Sequence, residues 1–504
     1  MPDPQTDPQT DPPLTHKRRM LILAICCMSL LIVSLDTTAL NVALPSMAKD
    51  FDATLSGMQW TIDAYTLVLA SLLMLAGSTA DRVGRRKVFR IGLVLFTAAS
   101  AACSLAPNLE TLVAFRMVQA IGGSMLNPVA MSIITNTFTD PRERARAIGV
   151  WGGVVGISMA AGPLAGGLLV DSIGWRSIFW VNVPIGLAAL LLTMRYVPES
   201  RAPRARRPDP VGQFLVIALL GSLTYAIIEA PDAGWTSTRT MLFAGIAVAA
   251  LIGLLLYEPR RTEPLIDLRF FRSAPFSGAT LIAVSAFASL GGFLFVSTLY
   301  LQDVRGLDAL HAGLWMLPMA AMSLVCAPLS GRLVGSRGPR LPLLIAGVTM
   351  TASGVLFAAF DAETSNATLV LGYVLFGIGF GFVNAPITNT AVSGMPRAQA
   401  GVAAAVASTS RQIGSTLGVA VIGAVLASGV ASSASSASSA SSSYAHSFVE
   451  AGRACWWIIA GCGLVVLLLG ALTSGRWARE TARRTAERLE EPQDAAVTRA
   501  SAGS

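Results

Sequence analysis

Four ionisable residues stand inside long apolar stretches of this 504-residue chain: Asp36, Asp63, Arg116 and Arg411. A charge is costly in such surroundings, so each marks a functional or structural site. A carboxylate there exchanges a proton when burial favours its neutral form and an approaching cation favours its charged one. Proton and cationic solute then compete for one group, and that competition couples their movements in opposite directions. Asp36 lies eight residues before Leu44, Asp63 five after Met58 and Arg116 six after Glu110. At about 1.5 Å per residue all three sit about 8–12 Å below one membrane surface, at similar height, and can form one cluster. The static alternative is that Asp36 or Asp63 pairs permanently with Arg116 as a fold-stabilising ion pair. Gln119, Gly123 and Asn127 fall within about 60° of Arg116 at 100° per residue, a polar stripe that either bonds to a neighbouring helix or lines a cavity. Arg411 has no acidic partner in its own stretch.

Other chemistries lack material. The three histidines, His16, His311 and His446, are scattered, too few for a metal site or a catalytic triad. The six cysteines, Cys26, Cys27, Cys103, Cys326, Cys455 and Cys462, fall in or beside apolar segments without ligand spacing and read as buried apolar side chains. None of Lys17, Lys49 and Lys87 sits in a G-x-x-x-x-G-K-[ST] loop, so the chain carries no P-loop for ATP. The reading is of a non-enzyme with no cofactor and no metal, driven by an ion gradient or a separate subunit.

The elements that position these residues are membrane helices. Hydrophobic residues make up 53% of the chain and charged ones 13%, against the roughly 25% charged of a soluble domain. The apolar residues come in blocks of about 20, the length that crosses a bilayer. Helices are predicted at about 20–44, 58–80, 88–107, 110–136, 147–170, 177–197, 211–230, 239–258, 275–301, 312–334, 339–361, 366–392, 398–428 and 453–474, fourteen in all, with ends good to about four residues. Of the 37 Lys and Arg, 30 fall on the side of the N-terminus, 5 on the other and 2 inside spans. By the positive-inside rule both termini are cytoplasmic, and the net charge of +8 reflects topology rather than a nucleic-acid surface. Residues 1–19, with the DPQTDPQTDPP repeat, are expected as a disordered cytoplasmic tail and 475–504 as a second tail. Between them the expectation is a six-helix bundle at 20–197, a linker with two extra helices at 198–274 and a second six-helix bundle at 275–474. The run SGVASSASSASSASSS at 428–443 is expected to be a flexible external loop.

The halves repeat. Gly77 and Gly331, Asn127 and Asn384, Gly156 and Gly414, and Gly162 and Gly418 recur at offsets of 254 to 258 residues, the mark of a duplicated transporter half. With LDTTALNVALP at 35–45, Gly77-x-x-x-Asp81-Arg82-x-Gly84-Arg85-Arg86, Arg116-x-x-Gln119, GISMAAGPLAGG at 156–167 and WRSIFWVNVPIG at 175–186, the chain resembles the major facilitator superfamily. Within it the likeness is to the fourteen-spanner drug:proton antiporters, from about 20 to 474. The resemblance implies an all-α integral membrane fold of two pseudo-symmetric six-helix bundles plus two extra helices. It also implies proton coupling at Asp36 with Arg116, substrate contacts at Asp63, Gln119, Asn127 and Asn41, and conformational gating by Gly77, Asp81, Arg82, Gly84, Arg85 and Arg86. The antiporter motif is carried by Gly156, Gly162, Pro163, Gly166 and Gly167. The second copy of the gating loop has Gly335 in place of Asp81 and so lacks its charge.

One proton moving down about 150 mV yields about 3.5 kcal/mol, enough for a few-hundred-fold solute gradient under tight coupling. The function implied is proton-driven export of antibiotics or other drugs across the plasma membrane by a monomer, conferring resistance. The alternatives are an exporter of one endogenous metabolite or antibiotic and, from another class, a non-transporting membrane receptor or scaffold.

Overall fold

The computed structural model describes residues 15–202, 208–261, 263–361, 364–393, 395–396, 399–434 and 442–490. The described residues form α-helices α1 His16–Phe51, α2 Leu55–Val83, α3 Arg85–Ser104, α4 Leu109–Thr137, α5 Pro141–Ser172, α6 Ser177–Trp180, α7 Asn182–Tyr196 and α8 Pro210–Ala233. After them come α9 Thr238–Tyr257, α10 Ala274–Leu299, α11 Ala309–Arg337, α12 Arg340–Ala358, α13 Asn366–Val392, α14 Ala400–Ala434, α15 Ser442–Leu472 and α16 Arg476–Glu490. Among the described residues thirteen helical spans are long and apolar enough to cross a membrane, α6 and α7 together making one of them. The bent α5 supplies the fourteenth, turning by 42° between Met159 and Ala161. Pro163 has no amide to give the Met159 carbonyl four residues back, which puts the bend there.

Four expectations need correction. Residues 16–19 are not tail: they form the first turn of α1, whose first amides are capped by Thr15. That helix also continues past Leu44, through Pro45, to Phe51. The Ser/Ala run is helical at both ends, because alanine is the strongest helix former, and α14 reaches Ala434 before α15 begins at Ser442. The supposed C-terminal tail folds into α16 over Arg476–Glu490. The DPQT repeat, residues 203–207, 435–441 and 491–504 lie outside the described residues.

The duplication read from sequence appears as repeated packing. α1 packs on α5 as α10 does on α14, α3 on α4 as α12 on α13, and α2 on α4 as α11 on α13. The two extra helices pack on each other, and α8 touches both α2 and α14, leaning on the seam between the bundles.

The bundles meet at the end away from the two termini. There Leu310 donates its amide to Asp171 at 2.7 Å, Gln59 donates to the Val419 and Ala420 carbonyls at 3.1 and 3.0 Å, and Gln302 donates to the Val42 carbonyl at 2.8 Å. A Cβ on Gly167 would lie 2.5 Å from the Ala309 carbonyl oxygen and one on Gly156 2.8 Å from Leu324 of α11. Toward the termini the helices part. Gly149 and Gly152 share the α5 face of Gly156, yet a Cβ at either meets nothing within 4 Å. The glycines of α5 divide three ways: Gly156 and Gly167 close on α11, Gly162 and Gly166 close on Thr38 and Ala39 of α1, and a Cβ on Gly149 or Gly152 meets nothing among the described residues.

Candidate functional site

The first turns of α4 set Arg116 and Gln119 one helical turn apart, facing α1. Arg116 Nη1 lies 2.5 Å from Asp36 Oδ2 and donates to Gln119 Oε1 at 2.8 Å, while its Nε reaches the Thr61 carbonyl at 3.3 Å. Gln119 Nε2 and Asn182 Nδ2 both donate to Asp36 Oδ1, at 2.9 and 3.0 Å. The guanidinium carbon sits 4.2 Å from the centre of the Tyr65 ring and 5.7 Å from that of Phe179. Asp36 is 0% and Arg116 1% exposed. This is a fully desolvated ion pair with every carboxylate oxygen occupied, the arrangement that can offset the cost of burying both charges.

Asn182 and its partner Ser100, at 3.2 Å, had no assigned role in the sequence reading. The signal was present in WRSIFWVNVPIG. The sixth span breaks at Val181, between α6 and α7, and the new helix starts with Asn182 buried against Asp36.

Asp63 does not join this cluster. Thr61 and Tyr65 face Arg116, and Asp63 lies midway between them in sequence, on the other side of α2 because two residues turn a helix by about 200°. It is fully buried, receives only a 3.4 Å contact from the Thr66 hydroxyl, and its Oδ2 has no partner among the described residues. Thr66 accepts from Thr416 of α14 at 3.0 Å, so this acid lies beside the contact between the two bundles. Equal depth, read from sequence, did not fix the angle around the helix.

The other candidates are distributed. Asn127 is half-buried, its Oδ1 without a partner among the described residues, and Asn41 donates to the Thr37 carbonyl of its own helix at 3.0 Å. Gly123 is pressed on the Tyr65 hydroxyl, 2.8 Å from where a Cβ would stand. Arg411 donates to Thr388 of α13 at 3.2 Å.

The loop expected to gate is tied within its own bundle. Asp81 pairs with Arg85 at 3.0 Å, one turn on. Glu199, beyond α7, accepts from the Arg86 and Lys87 amides at 3.0 and 3.2 Å, placing a carboxylate on the N-terminus of α3. A Cβ at Gly84, where φ is 128°, would meet that carboxylate at 2.7 Å. Gly77 lies against Pro128, and Arg82 is exposed. Glu199 escaped the sequence reading because its target is 113 residues away in sequence.

A second acidic pair was also missed. Asp209 and Glu258, 3% and 1% exposed at the ends of α8 and α9, converge over Gly212, where a Cβ would lie 2.8 and 2.6 Å from their oxygens. Both acids stand at helix ends, Asp209 capping the start of α8 and Glu258 following the end of α9.

The sequence pattern of the Major Facilitator Superfamily matches residues 26–419. The chain belongs to that superfamily. It is 38% identical over 408 residues to "Multidrug resistance protein Stp" of Mycobacterium tuberculosis, covering 81% of this chain and 76% of that one. It is 39% identical to "Tetracenomycin C resistance and export protein" of Streptomyces glaucescens, over 78% of this chain and 73% of the relative. With "Methylenomycin A resistance protein" of Streptomyces coelicolor the identity is 37%, over 77% and 82%. Among solved structures, a bacterial homologue of the human lysosomal transporter Spinster, inward-facing and unoccupied, superposes with a TM-score of 0.63 at 17% identity, over 94% of this chain and 99% of that one. That likeness concerns the fold. The all-α membrane architecture of two six-helix bundles with two added helices is the superfamily's fold extended by one helix pair.

Proposed function

We propose that this superfamily member exports antibiotics or other drugs across the plasma membrane in exchange for protons, as a monomer with both termini in the cytoplasm. The observation that carries the coupling is the buried Asp36–Arg116 pair, closed on the carboxylate side by Gln119 and Asn182. The drug as cargo rests on the relatives' names and on the antiporter glycines of α5.

With the termini inside, the open end faces the cytoplasm and the structure is inward-facing. Asp36 accepts from Arg116 at one oxygen and from Gln119 and Asn182 at the other. In the outward-facing state a proton from outside binds Asp36 and breaks the pair. The return inward re-forms it, expels the proton to the cytoplasm and readies the site for drug. Asp63, beside the interface of the bundles and without a counter-charge among the described residues, receives a cationic substrate, with Asn127 and Asn41 as polar contacts, while Gln119, engaged by Arg116 and Asp36, meets substrate only when that pair opens. The Gly77–Arg86 loop supplies the gate: Asp81, bound here to Arg85, exchanges that partner for the opposite bundle when the cytoplasmic end shuts. The domain limits in this reading are the two bundles at 20–197 and 275–474 with the helix pair between them.

A narrower reading, export of one endogenous antibiotic, is favoured by relatives named for single compounds, tetracenomycin C and methylenomycin A. Inverted vesicles with an acidified lumen decide. Cationic and neutral antibiotics should dissipate the gradient with wild type but not with Asp36→Asn, and Asp63→Asn should lose the cationic drugs alone. If no compound in a broad panel disturbs the gradient, broad drug export is wrong.

A further inference from the structure

Helix α16 has no role in the exchange cycle proposed above, and it is built as a surface element. Ala478 and Ala482, 0% and 6% exposed, face the protein with Thr485, and Thr481 accepts the Ala274 amide at 3.0 Å, fastening α16 to the start of α10. It also packs on the short 3₁₀ turn Leu268–Arg272. What it leaves outside is unusual for a helix in water: Trp477 is 66% exposed, close in sequence to Leu472 at 65%. Leu472 ends a stripe of exposed residues on α15, Leu464, Val465, Leu468 and Leu472, one to two turns apart, which is the lipid-facing side of the last span. At 100° per residue Trp477, Arg484 and Arg488 lie within about 40° of one another. The same flank therefore carries an indole near the end of the lipid stripe and two cations beyond it. Arg484 holds Glu480 at 3.1 Å, with both side chains more than half exposed, an ion pair weak enough to be exchanged for a phosphate.

We propose that this flank of α16 docks on the anionic phospholipid headgroups of the cytoplasmic leaflet. Trp477 sits at the headgroup level and Arg484 and Arg488 bind lipid phosphates. The choice of leaflet rests on the topology proposed above. Docking holds the end of the last span and, through Thr481, the start of α10 against the membrane surface.

The test is hydrogen exchange of residues 478–489 in the full chain, in nanodiscs of phosphatidylcholine alone or mixed equally with phosphatidylglycerol. Each cation near an anionic surface contributes about a fivefold factor, so phosphatidylglycerol should slow exchange about 30-fold for wild type, and 0.5 M salt should remove most of the effect. The slowing should shrink to within about twofold in R484Q/R488Q and persist in R484K/R488K, because headgroup attraction here counts charge. Equal exchange of wild type in the two bilayers overturns the proposal, as does undiminished slowing in R484Q/R488Q. Equal slowing by inorganic phosphate in phosphatidylcholine would assign the site to a soluble anion and overturn it too. If R484Q/R488Q unwinds α16, the wild-type comparison and its salt dependence still decide. Drug-evoked gradient dissipation in vesicles is read separately, so failure of lipid docking leaves the export reading standing, and the reverse.

Discussion

Replacing Asp36 by Asn removes one charge at almost constant volume, in a site where three groups point hydrogens at the carboxylate: Arg116, Gln119 and Asn182. An asparagine keeps one acceptor and turns an NH2 toward donors. Gln119 cannot flip its amide to help, because its Oε1 already accepts from Arg116. The guanidinium, 1% exposed, is left with neutral partners and the Tyr65 ring. Breaking a buried pair from one side costs about 3–5 kcal/mol, against a total stability of about 5–15 kcal/mol. Asp36→Asn should therefore fold but with a markedly lower denaturation midpoint in detergent. Arg116→Gln should also destabilise, by less, because a carboxyl left without its cation can take a proton whereas the guanidinium cannot lose one. The double variant Asp36→Asn/Arg116→Gln, carrying no charge, should cost at least about 2 kcal/mol less than the two singles together. If the three variants add within about 0.5 kcal/mol, the pair is not a coupled, desolvated unit and the reasoning fails.

Asn182→Ala removes one bond to a charged acceptor; a loss of about 1.5–3 kcal/mol in stability and weakened gradient dissipation are expected, and unchanged behaviour in both would count against its place in the site. Gly313→Leu puts a side chain on the Pro163 carbonyl and should prop the far end open, so that Leu310→Cys in this background reacts faster with an impermeant maleimide from outside than Leu310→Cys alone. Glu258→Gln should raise the thermal midpoint by relieving charge crowding with Asp209; a lowered midpoint would show that the pair is better satisfied than its geometry indicates.

The spans were legible because a bilayer imposes a single length and a single polarity on them. The 254–258 residue offsets correctly matched α4 with α13 and α5 with α14, since a repeated fold must repeat its prolines and close-packed glycines. Asp36, Arg116 and Gln119 could be brought together from depth and helical angle. Asp63 could not be placed, because depth says nothing of rotation, and α2 turns it toward α14. Asn182 and Glu199 act across 146 and 113 residues of sequence, through a helix break and a helix N-terminus that only the fold reveals. α16 was hidden by composition: RWARETARRTAERLE reads as a charged tail until its alanines and threonines find the start of α10.

The central claim is that Asp36 carries the coupling proton, and coupling separates from transport in one measurement. Purified protein in proteoliposomes is given an acid lumen and an external cationic dye such as ethidium. Wild type should concentrate the dye inside against its gradient, while Asp36→Asn should still exchange labelled for unlabelled dye across the membrane at equal pH but reach no more than equilibrium when the lumen is acid. Uphill accumulation by Asp36→Asn equal to wild type would contradict the account and move the proton site elsewhere in the bundle.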